Sequence, residues 1–184
     1  RTMSGYEKYL GTEFGKTIPG TFTDEPQIES PGGIRWTPDL FDVFMKQWNY
    51  DLRTQLPSLY EETGDWKRIR HNYTQTLLQM FIDRWSKPWN AYCEAKGLKF
   101  TGHYWEHGWP GMQLGGDNMA MYAWHQRPSI DCLMNRYDEQ THAQFGNVRM
   151  CKELSSVANQ LGMTRTLCEL YGAGGWDLRF EDMK

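Results

Sequence analysis

The chain has 184 residues, 39% hydrophobic and 23% charged, with a formal net charge of −3. Those values describe an ordinary folded domain, and the dispersed Lys and Arg lack the basic stripe that a nucleic-acid partner demands. No apolar run approaches the ~18 residues of a bilayer span and no charged-then-apolar leader opens the chain, so the expectation is a single mature or internal domain over 1–184 with no membrane partner.

In chain order, Tyr6 to Thr17 reads as the end of a helix, and Ile18-Pro19-Gly20 turns into a first strand over Thr21–Thr23. A polar loop follows from Pro26 to Gly33. Thr37-Pro38-Asp39 has the form of a helix start, with Thr as cap, Pro where its missing N–H costs nothing and an acid favoured by the helix dipole. Leu40, Phe41, Phe44, Met45 and Trp48 then form one apolar face. From Trp66 to Lys96 apolar residues recur at the helical period, with a kink expected at Pro88 and a stop at Gly97.

Leu98–Gly102 is predicted as the next strand, followed by a glycine-rich loop over Gly108–Asn118 and a helical patch over Met119–His125. A third strand is predicted over Ser129–Leu133. Phe145, Val148, Cys151, Leu154, Val157 and Leu161 mark an amphipathic helix ending at Gly162, and Thr164–Leu170 is a final strand. The tail Trp176–Lys184 reads as a helix beginning. Strands alternating with crossover-length helices imply an α/β fold with a parallel sheet: a partial (β/α)8 barrel of about four strands, cut from something larger. Open strand edges in such an arc invite association, so an oligomer or the remaining barrel segments are the expected partners.

Four cysteines, Cys93, Cys132, Cys151 and Cys168, lack any Cys-x-x-Cys spacing, and their apolar neighbours favour buried free thiols over a disulfide. Asn72-Tyr73-Thr74 is a formal glycosylation sequon inside a helical pattern.

Three segments place a glutamate at a predicted strand end: Phe22-Thr23-Asp24-Glu25-Pro26, Gly102-His103-Tyr104-Trp105-Glu106-His107 and Leu167-Cys168-Glu169-Leu170-Tyr171-Gly172. A parallel barrel gathers those ends on one face, and two gathered carboxyl groups can cleave a glycosidic bond. Glu25 is pushed outward by Pro26, although a solvated loop charge is the plainer account. Glu169 lies among apolar residues and needs a partner or a purpose, Arg165 being the structural candidate. Glu106 sits in the densest cluster, with His103, Tyr104, Trp105, His107 and Trp109 nearby. With 9 Trp and 10 Tyr in the chain, aromatic rings are available to stack on sugars, though core packing accounts for most of them.

His103-x-x-Glu106-His107 also matches the inverted zinc-peptidase motif, with Glu169 as a third ligand. That motif acts from a helix, whereas Gly102, Gly108 and Pro110 leave room for one turn. No Gly-x-Ser-x-Gly elbow or dinucleotide fingerprint occurs.

Together with Lys99–Glu106, Arg127–Asp131, Lys152–Ala158 and Glu169–Gly172, the Phe22–Pro26 run resembles, in order, the catalytic barrel of bacterial α-L-rhamnosidase-like glycoside hydrolases of the family numbered 106. The resemblance implies large multidomain enzymes that act on plant polysaccharides, invert anomeric configuration and use calcium, of which this chain is a central slice of barrel. It places catalytic carboxylates at Glu25, Glu106 and Glu169. Glu25 or Glu106 would be the general acid and Glu169 the partner carboxylate, with the remaining glutamate on sugar or calcium. The carbohydrate substrate would be held by Asp24, His103, Trp105, His107, Asp131, Tyr171 and Trp176. The alternatives are a non-catalytic carbohydrate-binding barrel fragment and the zinc peptidase.

Overall fold

Four strands, β1 (Gly20–Thr23), β2 (Lys99–Gly102), β3 (Arg127–Cys132) and β4 (Leu167–Leu170), pair side by side in chain order, every pair parallel. The computed structural model describes residues 2–28, 35–106, 116–133 and 142–183, without the side chains of 142–147 and 182. Parallel neighbours require long crossovers, and helices supply them. Helix α1 (Thr2–Leu10) precedes β1, and α2 (Leu40–Trp48), α3 (Pro57–Tyr60), α4 (Trp66–Phe81) and α5 (Lys87–Ala95) lie between β1 and β2. Helix α6 (Asn118–Tyr122) joins β2 to β3, and α7 (His142–Gln160) joins β3 to β4. The result is an α/β arc, part of a barrel-like sheet.

Alternation along the strands decides what each face carries. Phe100 on β2 packs with Cys93, Leu98 and Trp89, while Ile130 on β3 packs with Met150, Leu154 and Val157 of α7. These residues and their register partners face the helices. Phe22, Thr101, Ser129, Asp131 and Glu169 have the opposite parity and line the other face of the arc. The helix-side core continues through Leu78, Ile82, Tyr104, Met121 and Tyr122, all buried.

The expected kinked helix over 66–96 is three pieces: α4, a π-helical turn over Ile82–Ser86, and α5. Pro88 has no N–H to donate and its ring crowds the preceding turn. Widening the ladder removes the conflict, and the Lys87 N–H reaches back to the Ile82 carbonyl. At the start of α2, Asp39 rather than Thr37 occupies the cap position, and it makes no side-chain cap bond. Its carboxylate instead takes hydrogen bonds from Arg84 (3.0 and 2.5 Å) and from the Thr37 hydroxyl (2.9 Å).

Two further expectations change. Strand β4 is an edge, with Leu167 and Leu170 39% and 51% exposed, so Glu169 stands in a half-wet setting rather than a buried one. All four cysteines are free, but only Cys93 is buried; Cys132 and Cys168 are partly covered and Cys151 is exposed. The Pro26–Gly33 and Gly108–Asn118 loops fall largely outside the described residues.

Glycine is required where β1 and β2 close. A Cβ on Gly20 would lie 2.2 Å from the Lys99 carbonyl oxygen, and one on Gly102, at φ +138°, would lie 2.2 Å from that of Thr23. Gly102→Ala therefore combines backbone strain with overpacking and is expected to destabilise the fold by about 2–5 kcal/mol. Urea unfolding measures this, and an unchanged midpoint would rule out so close an approach.

Candidate active site

His103 is the third residue counted from Thr101 on the face opposite the helices, just past the end of β2, and it is 1% exposed. Its Nε2 lies 3.2 Å from Glu169 Oε2 and 3.6 Å from Asp24 Oδ1, while Nδ1 lies 3.3 Å from the Tyr104 carbonyl oxygen. The Phe22 ring covers it edge-on at 5.6 Å. Strand ends from β1, β2 and β4 thus converge on one imidazole, and Asp131, in register with Glu169, brings in β3. The partner of Glu169 is this imidazole, not Arg165.

Glu25 directly follows Asp24 and adopts the left-handed backbone region at φ 45°, unusual for a residue with a side chain. One ligand atom each from Asp24, Glu25 and His103 lie within 4.8 Å of one another, the single such grouping among the described residues.

The charges oppose and support one another in traceable ways. Partial burial raises the Glu25 carboxyl above its ordinary value; His103 opposes this, and Asp24, Asp131 and Glu169 reinforce it by like-charge repulsion. Asp131 is raised for the same reasons, burial first. Burial alone would depress His103, but Glu106, the Tyr104 carbonyl, Glu169 and Asp131 outweigh it and the imidazole is raised. One imidazole thus lies among several acids.

Glu106 has a different environment. It is fully buried, and its two carboxylate oxygens accept the Tyr104 N–H at 2.9 Å and the Asp131 N–H at 2.6 Å. Its own carbonyl oxygen accepts a hydrogen bond from Arg149 of α7, which also donates to Glu153 at 2.7 Å. The side chain turns under the cleft and ties the end of β2 to β3, with Oε1 3.8 Å from His103 Nδ1.

Of the other candidates, Trp105 is partly buried between His103 and Glu106. The Tyr171 hydroxyl donates to the Met183 carbonyl at 3.0 Å, and Trp176 is completely exposed. His107 lies outside the described residues. The described part of the zinc motif is not α-helical, and its glutamate is engaged by backbone amides. Phe22 and Arg149 escaped the sequence reading. The Arg149–Glu153 spacing of four was a signal for an ion pair but not for its link to Glu106.

No protein-family model and no curated protein matches the chain. Among solved structures it superposes on a rhamnosidase from Novosphingobium sp. PP1Y with a TM-score of 0.73 and 22% identity. The fold is shared with that rhamnosidase. The match covers 99% of this chain and 17% of the rhamnosidase, so the chain corresponds to a small part of that protein.

Burial drives the Glu106 carboxyl up from 4.5 to about 7, against the pull of its backbone donors and His103. An acid raised on folding binds more protons in the native state across that window, so its contribution to stability falls as pH rises from 4.5 to about 7. In Glu106→Gln that portion of the pH dependence should vanish, as measured by denaturant titrations at several pH values. A slope unchanged from the parent would show that the carboxyl is not buried as described. Glu106→Ala leaves two amides without an acceptor and should cost about 1–3 kcal/mol for each.

Proposed function

We propose that this chain carries the acid–base carboxylates of a glycoside hydrolase of the rhamnosidase type. The observation that carries the reading is the convergence of Asp24, Glu25, Asp131 and Glu169 around buried His103 at the C-terminal ends of parallel strands. Barrel enzymes build active sites at that end.

Glu25 is the general acid. Its raised affinity for a proton is what protonation of a leaving-group oxygen requires near neutral pH. Glu169 is the partner carboxylate: half in solvent and oriented by the His103 hydrogen bond, it takes a proton from the attacking water. The surrounding negative charge favours the positive charge that grows on the sugar ring as the bond breaks. Glu106 holds the Tyr104–Asp131 backbone and so keeps His103 and Asp131 in place. Asp24 and Asp131 accept from sugar hydroxyls, while Trp105, Tyr171, Trp176 and His107 provide stacking and polar contacts.

Calcium takes oxygen ligands, and in the single grouping of ligand atoms within 4.8 Å of one another among the described residues Asp24 and Glu25 provide them, whereas the His103 nitrogen is ill suited and is already engaged by Glu169. The carboxylates therefore fit the ion, which when bound would orient sugar hydroxyls electrostatically.

Two substitutions in the protein that carries this chain separate the roles. Glu25→Gln should lower kcat by about 10²–10⁴-fold on rhamnosides with poor leaving groups and far less on activated aryl rhamnosides, while Glu169→Gln should slow both. Glycan binding without turnover in the parent, unaffected by Glu169→Gln, would replace this reading with that of a non-catalytic binding module.

The remaining barrel segments are the partner this reading requires, because β1 and β4 are open edges. Beside β1 runs an apolar groove lined by Met3, Tyr6, Leu10, Phe14, Ile18 and Phe22. Alone, the chain should self-associate with rising concentration, as sedimentation velocity would record. A monomer at high concentration would count against uncovered edges.

A further inference from the structure

Tyr104 belongs to both sides of the sheet. It follows His103 just past β2, and its side chain joins the helix-side core with Leu78 and Ile82 while its backbone stays beside the cleft. On the cleft side its N–H donates to Glu106 Oε2 at 2.9 Å, and its carbonyl oxygen lies 3.3 Å from His103 Nδ1. A carbonyl only accepts, so this contact is a hydrogen bond when His103 carries a proton on Nδ1, and the ring then presents Nε2 to Glu169. The Tyr104 peptide thus sets which way the imidazole points.

On the helix side the Tyr104 ring is fully buried, and its hydroxyl lies 2.8 Å from Nε2 of a second histidine, His125. His125 is 1% exposed, on the loop between α6 and β3. Its ring stacks on Phe100 of β2 at 3.9 Å and meets Tyr104 and Tyr122 edge-on. Burial, helped by His103, pushes this imidazole down from 6.5 to about 3, so the ring is neutral near pH 7. Among the described residues its Nδ1 has no hydrogen-bond partner. One ring nitrogen is therefore desolvated without compensation, a cost that a phenylalanine stacked on Phe100 would not incur. The bond to Tyr104 is what the histidine adds.

The loop is braced to keep that bond in place. Asn90 of α5 donates to the Trp124 carbonyl at 2.6 Å, Gln126 donates to the Asn90 carbonyl at 3.1 Å, and the Phe100 N–H donates to Gln126 Oε1 at 2.8 Å. His125 sits between two residues tied to α5 and β2.

We infer that His125 is a positioning residue for the cleft: by holding the Tyr104 hydroxyl it fixes the Tyr104 peptide, and through that peptide the orientation of the His103 ring and the seat of Glu106. It acts from the far side of the sheet and touches no substrate. A displacement of about 1 Å at a reacting centre can cost about 10²-fold in rate, so the role shows in turnover. That consequence rests on the hydrolase reading, whereas the effect on the His103 ring does not.

Three substitutions test it. His125→Phe keeps the stack on Phe100 but removes the partner of the Tyr104 hydroxyl, Tyr104→Phe removes the hydroxyl itself, and His125→Gln returns a polar atom near the Nε2 position. NMR of the nitrogen-labelled histidines in the folded chain should show a His103 Nδ1–H protected from solvent exchange in the parent, lost in both Phe variants and recovered in His125→Gln. In the protein that carries this chain, kcat on rhamnosides should fall by about 10–100-fold in each Phe variant with KM changed less than about threefold, and the double variant should be no slower than either. A merely structural bond would lower the urea midpoint yet leave the His103 signal and kcat of the folded variants at parental values, which would overturn the inference. So would a parent His103 protonated on Nε2 alone, a result that needs no variant. Should His125→Phe fail to fold, Tyr104→Phe, which deletes a single oxygen, makes the comparison. A parent without turnover would remove the hydrolase reading and leave the NMR comparison to decide the positioning role.

Discussion

The buried carboxylate of Glu106, gripping the amides of Tyr104 and Asp131, is the interaction on which the cleft depends. Strand β2 pairs with β3 in register only at Thr101–Arg127 and Gly102–Pro128, so beyond Gly102 the ladder has ended while β3 continues. Without a substitute, the Asp131 N–H would be buried with no strand to receive it, at a cost of a lost hydrogen bond. Glu106 provides the acceptor from a side chain. In doing so it bends the chain after β2 back on itself and presents His103 to the opposite face. An ionised group is well suited to this task because charge-assisted hydrogen bonds are shorter and stronger than neutral ones, yet its burial makes the proton compete for it near neutrality.

From that tie the rest of the cleft follows. His103, fixed on one side by its own backbone neighbour, meets Glu169 from the far edge of the sheet and Asp24 from the near one. A single imidazole spans the mouth of the arc. It lies between acids that would otherwise repel one another, and Glu25 and Asp131 are raised, by burial first and then by their acidic neighbours, against its pull. Differences in proton affinity among chemically similar groups thus arise from burial and from the charges around them, which is the condition for dividing acid and base roles between them.

The parallel α/β arrangement was legible because apolar periodicity switches between strand and helix at Gly97, Gly102 and Gly162, and Gly97 and Gly162 do close helices with positive φ. The grouping of Asp24, Glu25, His103, Asp131 and Glu169 at strand ends was legible for the same reason, since parallel direction alone gathers them. What Glu106 does was not. Its sequence neighbours are aromatic and histidine residues that suggest a ligand site, while its partner Asp131 N–H lies 25 positions away, set by where β2 stops pairing. The exposure of β4 was equally hidden, because Leu-Cys-Glu-Leu reads as core whether or not another strand covers it. The π turn at Ile82–Ser86 required knowing how Pro88 would be accommodated, by a kink or by a wider ladder, and the sequence favours neither.

Strand alternation links the two faces of β3 and β4 more tightly than either face suggests alone. Asp131 and Cys132 are consecutive, as are Cys168 and Glu169, so any displacement of the helix-facing side chains rotates the same peptide planes that aim the carboxylates. Asp131 has the least freedom to absorb such a rotation, because its N–H is held by Glu106 and its side chain is enclosed. Glu169, on the open edge, has more. A shift of α7 against the sheet would therefore reach the cleft through the Glu106–Asp131 hydrogen bond rather than through Glu169, because Arg149 on α7 binds the same glutamate from the other end.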